Sequence, residues 1–426
     1  MIIDCLRKDY AYIIENELKN FEFISYNNVI TPSPWTIPSF ASLLTGHYPL
    51  IHKAHENKKN KNYNIKLKNY NNLLSSYFLN NNYDTILISA NYFVNPKFGF
   101  IGFKYYYNSV NSLILSKKEK IILDNIYKKY KSMKKYYKII KYLIYKKCFK
   151  LVLKLIYIYI NNFINWPKDK GINNTLKILN YVCKKNSDKQ KFILINLMEL
   201  HEPYYKNENW ANIRNNNKKQ NFMYLSRVKY WKKKYYEELI YVNKKMKDVI
   251  SILKNNNMFD NTLIIVTSDH GQLLGEHNKI GHGTYLYEEV LQIPLLIKYP
   301  QNLNINKTLS LKYISLINLK NFIINMINNN IKDDNMLYSD TVFAESYGIP
   351  EYIKTNNDDE RKRISMLEKY KIAIYDNDIK GIFNVEDWKF ELLTSIKSNI
   401  NISNNKKMIL KEKIKKFLKD GLYIYL

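Results

Sequence analysis

Residues 262–271 read Thr262-Leu263-Ile264-Ile265-Val266-Thr267-Ser268-Asp269-His270-Gly271. The first six form a nearly all-apolar run of strand length, and the run stops on an acid and an imidazole. A strand that is apolar at every position belongs in a sheet covered on both faces. Such sheets collect functional residues at the carboxyl ends of their strands. Asp269 and His270 stand where that rule looks for them.

The same pattern recurs outward from this stretch. Residues 1–5 read as a buried strand ending on Asp4, and residues 191–197 (KFILINL) as a strand that delivers His201. Residues 85–90 (TILISA) and 293–298 (IPLLIK) are further strands. Helical spacing lies between them, at 73–79, 173–185 and 227–254. Strands alternating with helices predict an α/β fold: a central, mostly parallel sheet with helices on both faces. After Tyr299-Pro300 the texture changes. Short strand-like pieces at 341–343, 370–375, 381–383 and 388–393, followed by a terminal helix, predict a smaller C-terminal α+β subdomain. The expected division is 1–330 and 331–426.

A second stretch supplies a hydroxyl. Ser33-Pro34-Trp35-Thr36-Ile37-Pro38-Ser39-Phe40 precedes Ala41, Leu43, Leu44 and Gly46. Residues before proline are pushed towards extended geometry, so Thr36 is expected in a loop with Ser39 capping the helix that follows. A hydroxyl at a helix N-terminus meets free N–H groups and a positive dipole end, a setting suited to phosphate or sulfate.

The chain has 426 residues, 46% of them hydrophobic, enough for a large core. Its formal net charge is +29, carried by 67 Lys and Arg against 38 Asp and Glu. Heavy use of Lys, Asn, Ile and Tyr reflects an AT-rich coding bias, and most of the charge is read as a solvated basic surface. Residues 116–165 mix Lys with Tyr, Ile and Leu at helical spacing. They are read as a helical insert with basic outer faces; membrane-surface contact is the sharper alternative. No nucleic-acid module accompanies the charge, so no specific nucleic acid is expected. Cys5, Cys148 and Cys183 form no CxxC pair and are expected as reduced thiols. The opening residues carry no signal-peptide pattern and no apolar run reaches membrane-spanning length. A cytoplasmic location, peripheral to the membrane if the insert binds one, is the expectation.

Asp4, Thr36, Asp269 and His270 are one chemical set. Three oxygen donors and an imidazole can hold a divalent cation. A cation beside the Thr36 hydroxyl would make it a nucleophile near neutral pH. His201, His282, Arg7 and Lys298 are candidates to meet the remaining substrate oxygens or to protonate a leaving group.

These residues also carry a family resemblance. Residues 2–9 (IIDCLRKD), 31–49 (TPSPWTIPSFASLLTGHYP), His52, His201-Glu202-Pro203-Tyr204 and 260–300 (DNTLIIVTSDHGQLLGEHNKIGHGTYLYEEVLQIPLLIKYP) are together similar to the sulfatase-like branch of the alkaline phosphatase superfamily. The resemblance implies metal ligation by Asp4, Asp269 and His270, with Thr36 as nucleophile. It places His201 and His282 on the transferred group. Family sulfatases carry Cys or Ser in a C/S-x-P-S-R motif and convert it to formylglycine, whereas this chain has Thr36-Ile37-Pro38-Ser39-Phe40. Thr at this position resembles the phosphoryl-transferring members. No D-x-x-x-H precedes Asp269, so one metal is expected, with calcium, magnesium or manganese ahead of zinc.

The expected function is therefore a metal-dependent hydrolase or transferase acting on phosphate or sulfate esters through Thr36 and a covalent intermediate. An anionic ester of a cell-envelope lipid or polysaccharide is the expected substrate class. A true sulfatase using unmodified Thr36, or a binding protein on the same scaffold, are the alternatives.

Overall fold

The computed structural model describes residues 1–110, 141–146, 148–164, 167–185, 187–204, 221–303, 305–308, 310–328, 331–353, 355–356, 358–396 and 402–423. Among these, the main sheet has seven strands in the order β2-β10-β7-β1-β6-β4-β5. Its members are β1 (Ile2–Ile3), β2 (Ile24–Tyr26), β4 (Asp84–Ser89), β5 (Tyr105–Asn108), β6 (Lys191–Leu197), β7 (Ile264–Thr267) and β10 (Leu295–Lys298). The strands β7, β1, β6, β4 and β5 run parallel, and β10 runs antiparallel to both β7 and β2.

The apolar runs are continuous because both faces are covered, and the two-residue period of a strand sorts their side chains into two layers. Ile3, Ile86, Ile88, Ile195, Leu197 and Val266 pack on one face with the helices Ile172–Lys184 and Asn221–Asn255. Ile2, Leu87, Leu194, Leu295 and Ile297 pack on the other with Thr36–Thr45, Leu74–Asn80 and Asn318–Ile327. A three-stranded sheet joins β3 (Val29–Ile30), β11 (Tyr313–Ser315) and β12 (Tyr338–Ser339). A two-stranded ribbon, β8 (Leu273–Leu274) with β9 (Ile280–Gly281), carries the chain past the strand ends. Near the C-terminus β13 (Thr341–Ser346), β14 (Lys371–Asp376), β15 (Ile379–Asn384) and β16 (Lys389–Ser395) form an antiparallel meander. The helix Asn404–Tyr423 packs against it through Leu410, Ile414 and Phe417.

One local expectation is corrected. The helix after the Pro-rich stretch begins at Thr36, with Trp35 as its N-cap at φ −160° and ψ 168°. Pro38 sits in the first turn, where no intrahelical acceptor awaits an N–H, so proline is no obstacle. Ser39 is inside the helix, and its hydroxyl donates to the Ser33 carbonyl at 2.9 Å. Gly46 ends the helix in the left-handed conformation, φ 72°, that lets its N–H bond the Ser42 carbonyl.

The expected insert at 116–165 falls largely outside the described residues; within it Phe149–Ile164 is helical. Among the described residues no helix is long and apolar enough to cross a membrane.

Candidate functional site

At the carboxyl edge of the sheet, β1 leads directly into Asp4, β7 into Asp269 and His270, and β6 into the loop bearing His201. The Thr36 helix points its first turn at the same place. His270 Nδ1–H donates to the Gly271 carbonyl at 2.9 Å, which leaves Nε2 as the lone-pair nitrogen. Thr36 Oγ1 lies 3.3 Å from that nitrogen, Asp269 Oδ2 3.4 Å and Asp4 Oδ1 3.7 Å. Thr36, Asp4, Asp269 and His270 are all buried. Four residues separated by up to 266 positions thus converge on one point.

The point is electrostatically unfinished. Asp269 Oδ2 is buried without a hydrogen-bond partner. Burial, and then the Asp4 carboxylate, hold the Asp269 carboxyl well above the usual carboxylate range. Burial also pushes His270 down, which keeps its imidazole neutral and able to ligate. Two acids, a neutral imidazole and a hydroxyl around a buried orphan oxygen form a donor set that fits a divalent cation.

Supporting side chains fix each donor. Asn91, just past β4, donates to Asp4 Oδ2 at 2.7 Å. Ser268 Oγ lies 2.8 Å from the Ile3 carbonyl and 2.6 Å from the His270 carbonyl, which ties β1 to β7. The Thr31 hydroxyl donates to the Asp269 carbonyl. His52 braces the Thr36 helix: Nδ1 accepts from the Ala54 N–H at 3.0 Å, and the opposite nitrogen is 2.9 Å from Ser42 Oγ. Trp35 Nε1 donates to Glu56 at 2.7 Å and anchors the helix entrance.

His201 and His282 stand next to the four. Their rings meet edge to face at 5.0 Å, and His282 stacks on His270 at 4.4 Å. His201 Nδ1–H donates to the Glu202 carbonyl at 2.6 Å. Burial pulls His201 down, but the charges of Glu202 and Asp4 outweigh it and the net shift is upward. Lys170 donates to the Glu199 and His201 carbonyls, both at 2.6 Å, and so pins this loop.

Two sequence candidates lie elsewhere. Lys298 ends β10, opposite Ile264 at the far edge of the sheet, and holds the Phe259 and Asp260 carbonyls. Arg7 is a strut: it binds Asp9 at 2.6 Å, Glu276 at 3.1 Å and the Gln272 carbonyl at 3.0 Å. Residues the sequence reading passed over are Asn91, Cys5, Glu202 and Gln272. Asn91 carried a usable signal, since it follows an apolar strand as Asp4 does. Phe40, at the position of the family's Arg, is wholly buried against Phe100 and faces the core.

Comparisons with known proteins give the family and the fold. A family model described as Sulfatase matches residues 9–327. An uncharacterised sulfatase of Escherichia coli strain K12, YidJ, is 45% identical over 42 residues, 10% of this chain and 8% of the relative. An N-acetylglucosamine-6-O-sulfatase of Bacteroides thetaiotaomicron is 33% identical over 76 residues, 18% of this chain and 13% of the relative. The matched stretches thus span only a small part of those relatives' length. Among solved structures, the phosphonate monoester hydrolase of Silicibacter pomeroyi superposes with a TM-score of 0.61 at 14% identity, covering 99% of this chain and 94% of that one. The phosphonate monoester hydrolase of Agrobacterium radiobacter gives 0.61 at 12% identity, covering 100% and 95%. A structure in complex with its substrate D-glucosamine-2-N,6-O-disulfate gives 0.61 at 14% identity, covering 99% and 97%.

Proposed function

Because the chain belongs to the sulfatase family, we propose that it cleaves esters of phosphorus or sulfur oxyacids with Thr36 as nucleophile. The observation that carries this reading is the Thr36 hydroxyl, 3.3 Å from the ligating nitrogen of His270 and beside the orphan oxygen of Asp269.

Asp4, Thr36, Asp269 and His270 would hold the cation; when bound it would lower the pKa of the Thr36 hydroxyl and neutralise the substrate's charge. The donor set is oxygen-rich. Three oxygen donors to one imidazole would suit a hard cation, calcium, magnesium or manganese, ahead of zinc.

Thr36 attacks in line, forming its O–P bond as the bond to the leaving alcohol breaks. At the first turn of its helix the N–H groups of Thr36 and Ile37 have no intrahelical acceptor, so they and the dipole favour the anionic transferred group. His201 and His282 meet its other side, and one of them returns a proton to the leaving oxygen. Water, or an acceptor hydroxyl in a transferase, then attacks the same phosphorus and frees Thr36. Phosphorus is favoured over sulfur because Thr36 is not the usual precursor of formylglycine and Phe40 supplies no guanidinium. An anionic lipid- or polysaccharide-borne ester is the proposed substrate class.

The test is turnover of aryl phosphate, phosphodiester, phosphonate and sulfate esters, with calcium and with chelator, for the parent and Thr36→Ala. Calcium-dependent turnover that Thr36→Ala abolishes supports the reading. Turnover equal in both proteins refutes it.

A further inference from the structure

The helix Phe149–Ile164 turns an apolar side outward. Phe149, Leu153 and Ile156 stand at i, i+4 and i+7, so they share one face, and they are 57%, 66% and 41% exposed. Leu151 and Val152 turn inward and are buried. Just before the helix Ile144 and Tyr145 are exposed as well. Single large apolar side chains on a surface are ordinary, but a stripe of them marks a surface that something covers.

The charge beside the stripe identifies the cover. Lys141, Lys146 and Lys150 are exposed, and the sequence from 125 to 168 holds 12 lysines and no acid. We propose that this helix lies on an anionic lipid surface, with Phe149, Leu153 and Ile156 among the acyl chains and the lysines on the headgroup phosphates.

Other occupants fit less well. A second copy of the chain would set the same lysines, and a net charge of +29, against their like. A nucleic acid would answer the lysines with its phosphates and leave Leu153 and Ile156 in water. An anionic bilayer answers both the charge and the apolar stripe. The helix lies on the bilayer and does not cross it. Its 16 residues span about 24 Å against a hydrocarbon core of about 30 Å, and Lys150 and Lys154 fall within it.

Its place in the chain gives the surface a use. The chain between Ile164 and Lys170 reaches at most about 21 Å. Lys170 holds the Glu199 and His201 carbonyls. A helix seated on lipid therefore brings the His201 edge of the site towards headgroup esters. This deepens the ester-cleaving reading and rests on it for the substrate alone: of lipid-borne and polysaccharide-borne esters it selects the lipid.

The test is co-sedimentation of the full chain with vesicles of phosphatidylcholine alone and with about 30% phosphatidylglycerol added. The proposal predicts binding to the anionic vesicles only, weakened by salt. Combining Phe149→Ser, Leu153→Ser and Ile156→Ser should weaken that binding by about 100-fold or more. Combining Lys146→Gln with Lys150→Gln should weaken it by about 10- to 30-fold. Both variants should keep the parent's Tm and its turnover of a soluble aryl ester, since none of the five residues touches the site. A parent that does not bind the anionic vesicles, or a triple variant that binds them equally well, overturns the proposal. So does a parent that dimerises in light scattering through the same three residues and ignores lipid. Vesicle binding without turnover of any ester supports the lipid surface while refuting the hydrolase reading, and turnover without vesicle binding does the reverse.

Discussion

Replacing Asp269 by asparagine should stabilise the protein without its cation and destabilise it with one. Asp4 Oδ1 and Asp269 Oδ2 lie 3.7 and 3.4 Å from the same nitrogen, so they are no more than about 7 Å apart. Ionising both carboxylates at that distance costs about 2 kcal/mol at an effective dielectric constant of about 20, and Asp269, whose carboxyl burial and Asp4 push up, avoids that cost without a cation only by holding a proton, which itself costs stability at pH 8. Asparagine removes the repulsion and keeps the Oδ1 acceptor for the His270 N–H, a bond of 2.9 Å. Its Nδ2 would replace the orphan oxygen and face the His270 lone pair. For 426 residues the unfolding entropy is about 0.9 kcal/mol/K, so 2 kcal/mol raises Tm by about 2 °C. Calcium at 100 times its Kd stabilises the parent by about 2.7 kcal/mol, or about 3 °C. The variant should show little of that gain. Scanning calorimetry at pH 8, with chelator and with calcium, gives the four values. The curves should cross: the variant melts higher in chelator and the parent higher in calcium. A variant that melts lower in chelator and gains as much from calcium as the parent would refute the placement of a cation on Asp269.

Thr36→Ala should lower turnover by about 10^4- to 10^6-fold with Tm nearly unchanged, as initial rates and calorimetry would register; loss of less than tenfold would remove Thr36 from the chemistry. Asn91→Ala frees Asp4 to rotate and should weaken calcium binding by about 10- to 100-fold by isothermal titration, with unchanged affinity counting against the brace. Glu56 is pushed up to about 7 by burial from 4.5. A folded-state pKa above the unfolded one means stability present below pH 4.5 and lost as pH rises through 7, by about 3 kcal/mol in all. The stability difference between parent and Glu56→Gln should therefore change across that window and stay flat above pH 8; a difference independent of pH would show Glu56 titrating normally. Gly271→Ala would put Cβ 2.1 Å from the Glu289 carbonyl, too close for backbone to yield cheaply. It should cost about 1–3 kcal/mol by denaturant unfolding, and a neutral result would mean the loop gives way.

The sheet and its site edge were legible because burial on both faces forces uninterrupted apolar runs, and each run ends where the chemistry begins. Asp4, Asp269 and His270 could be read in this way. The position of Thr36 could be read too, but its local structure was misread: Pro38 looked like a break, and in a first turn it is none. Lys298 was misplaced for a different reason. It follows an apolar strand, but that strand is antiparallel to β7, a property set by pairing and invisible in the run itself. Cys5 and Glu202 were hidden because a lone thiol and a loop carboxylate acquire meaning only when folding sets them beside His201 and His282.

The central claim is that Thr36 becomes covalently bonded to the group it removes. Acid-quenching the calcium-loaded protein during turnover of a phosphate ester, followed by peptide mass analysis, tests this directly. One phosphoryl group should appear on the peptide containing Thr36, absent in Thr36→Ala and in chelator. Sustained turnover with Thr36 unmodified at every quench time, and with Thr36→Ala equally active, would contradict it.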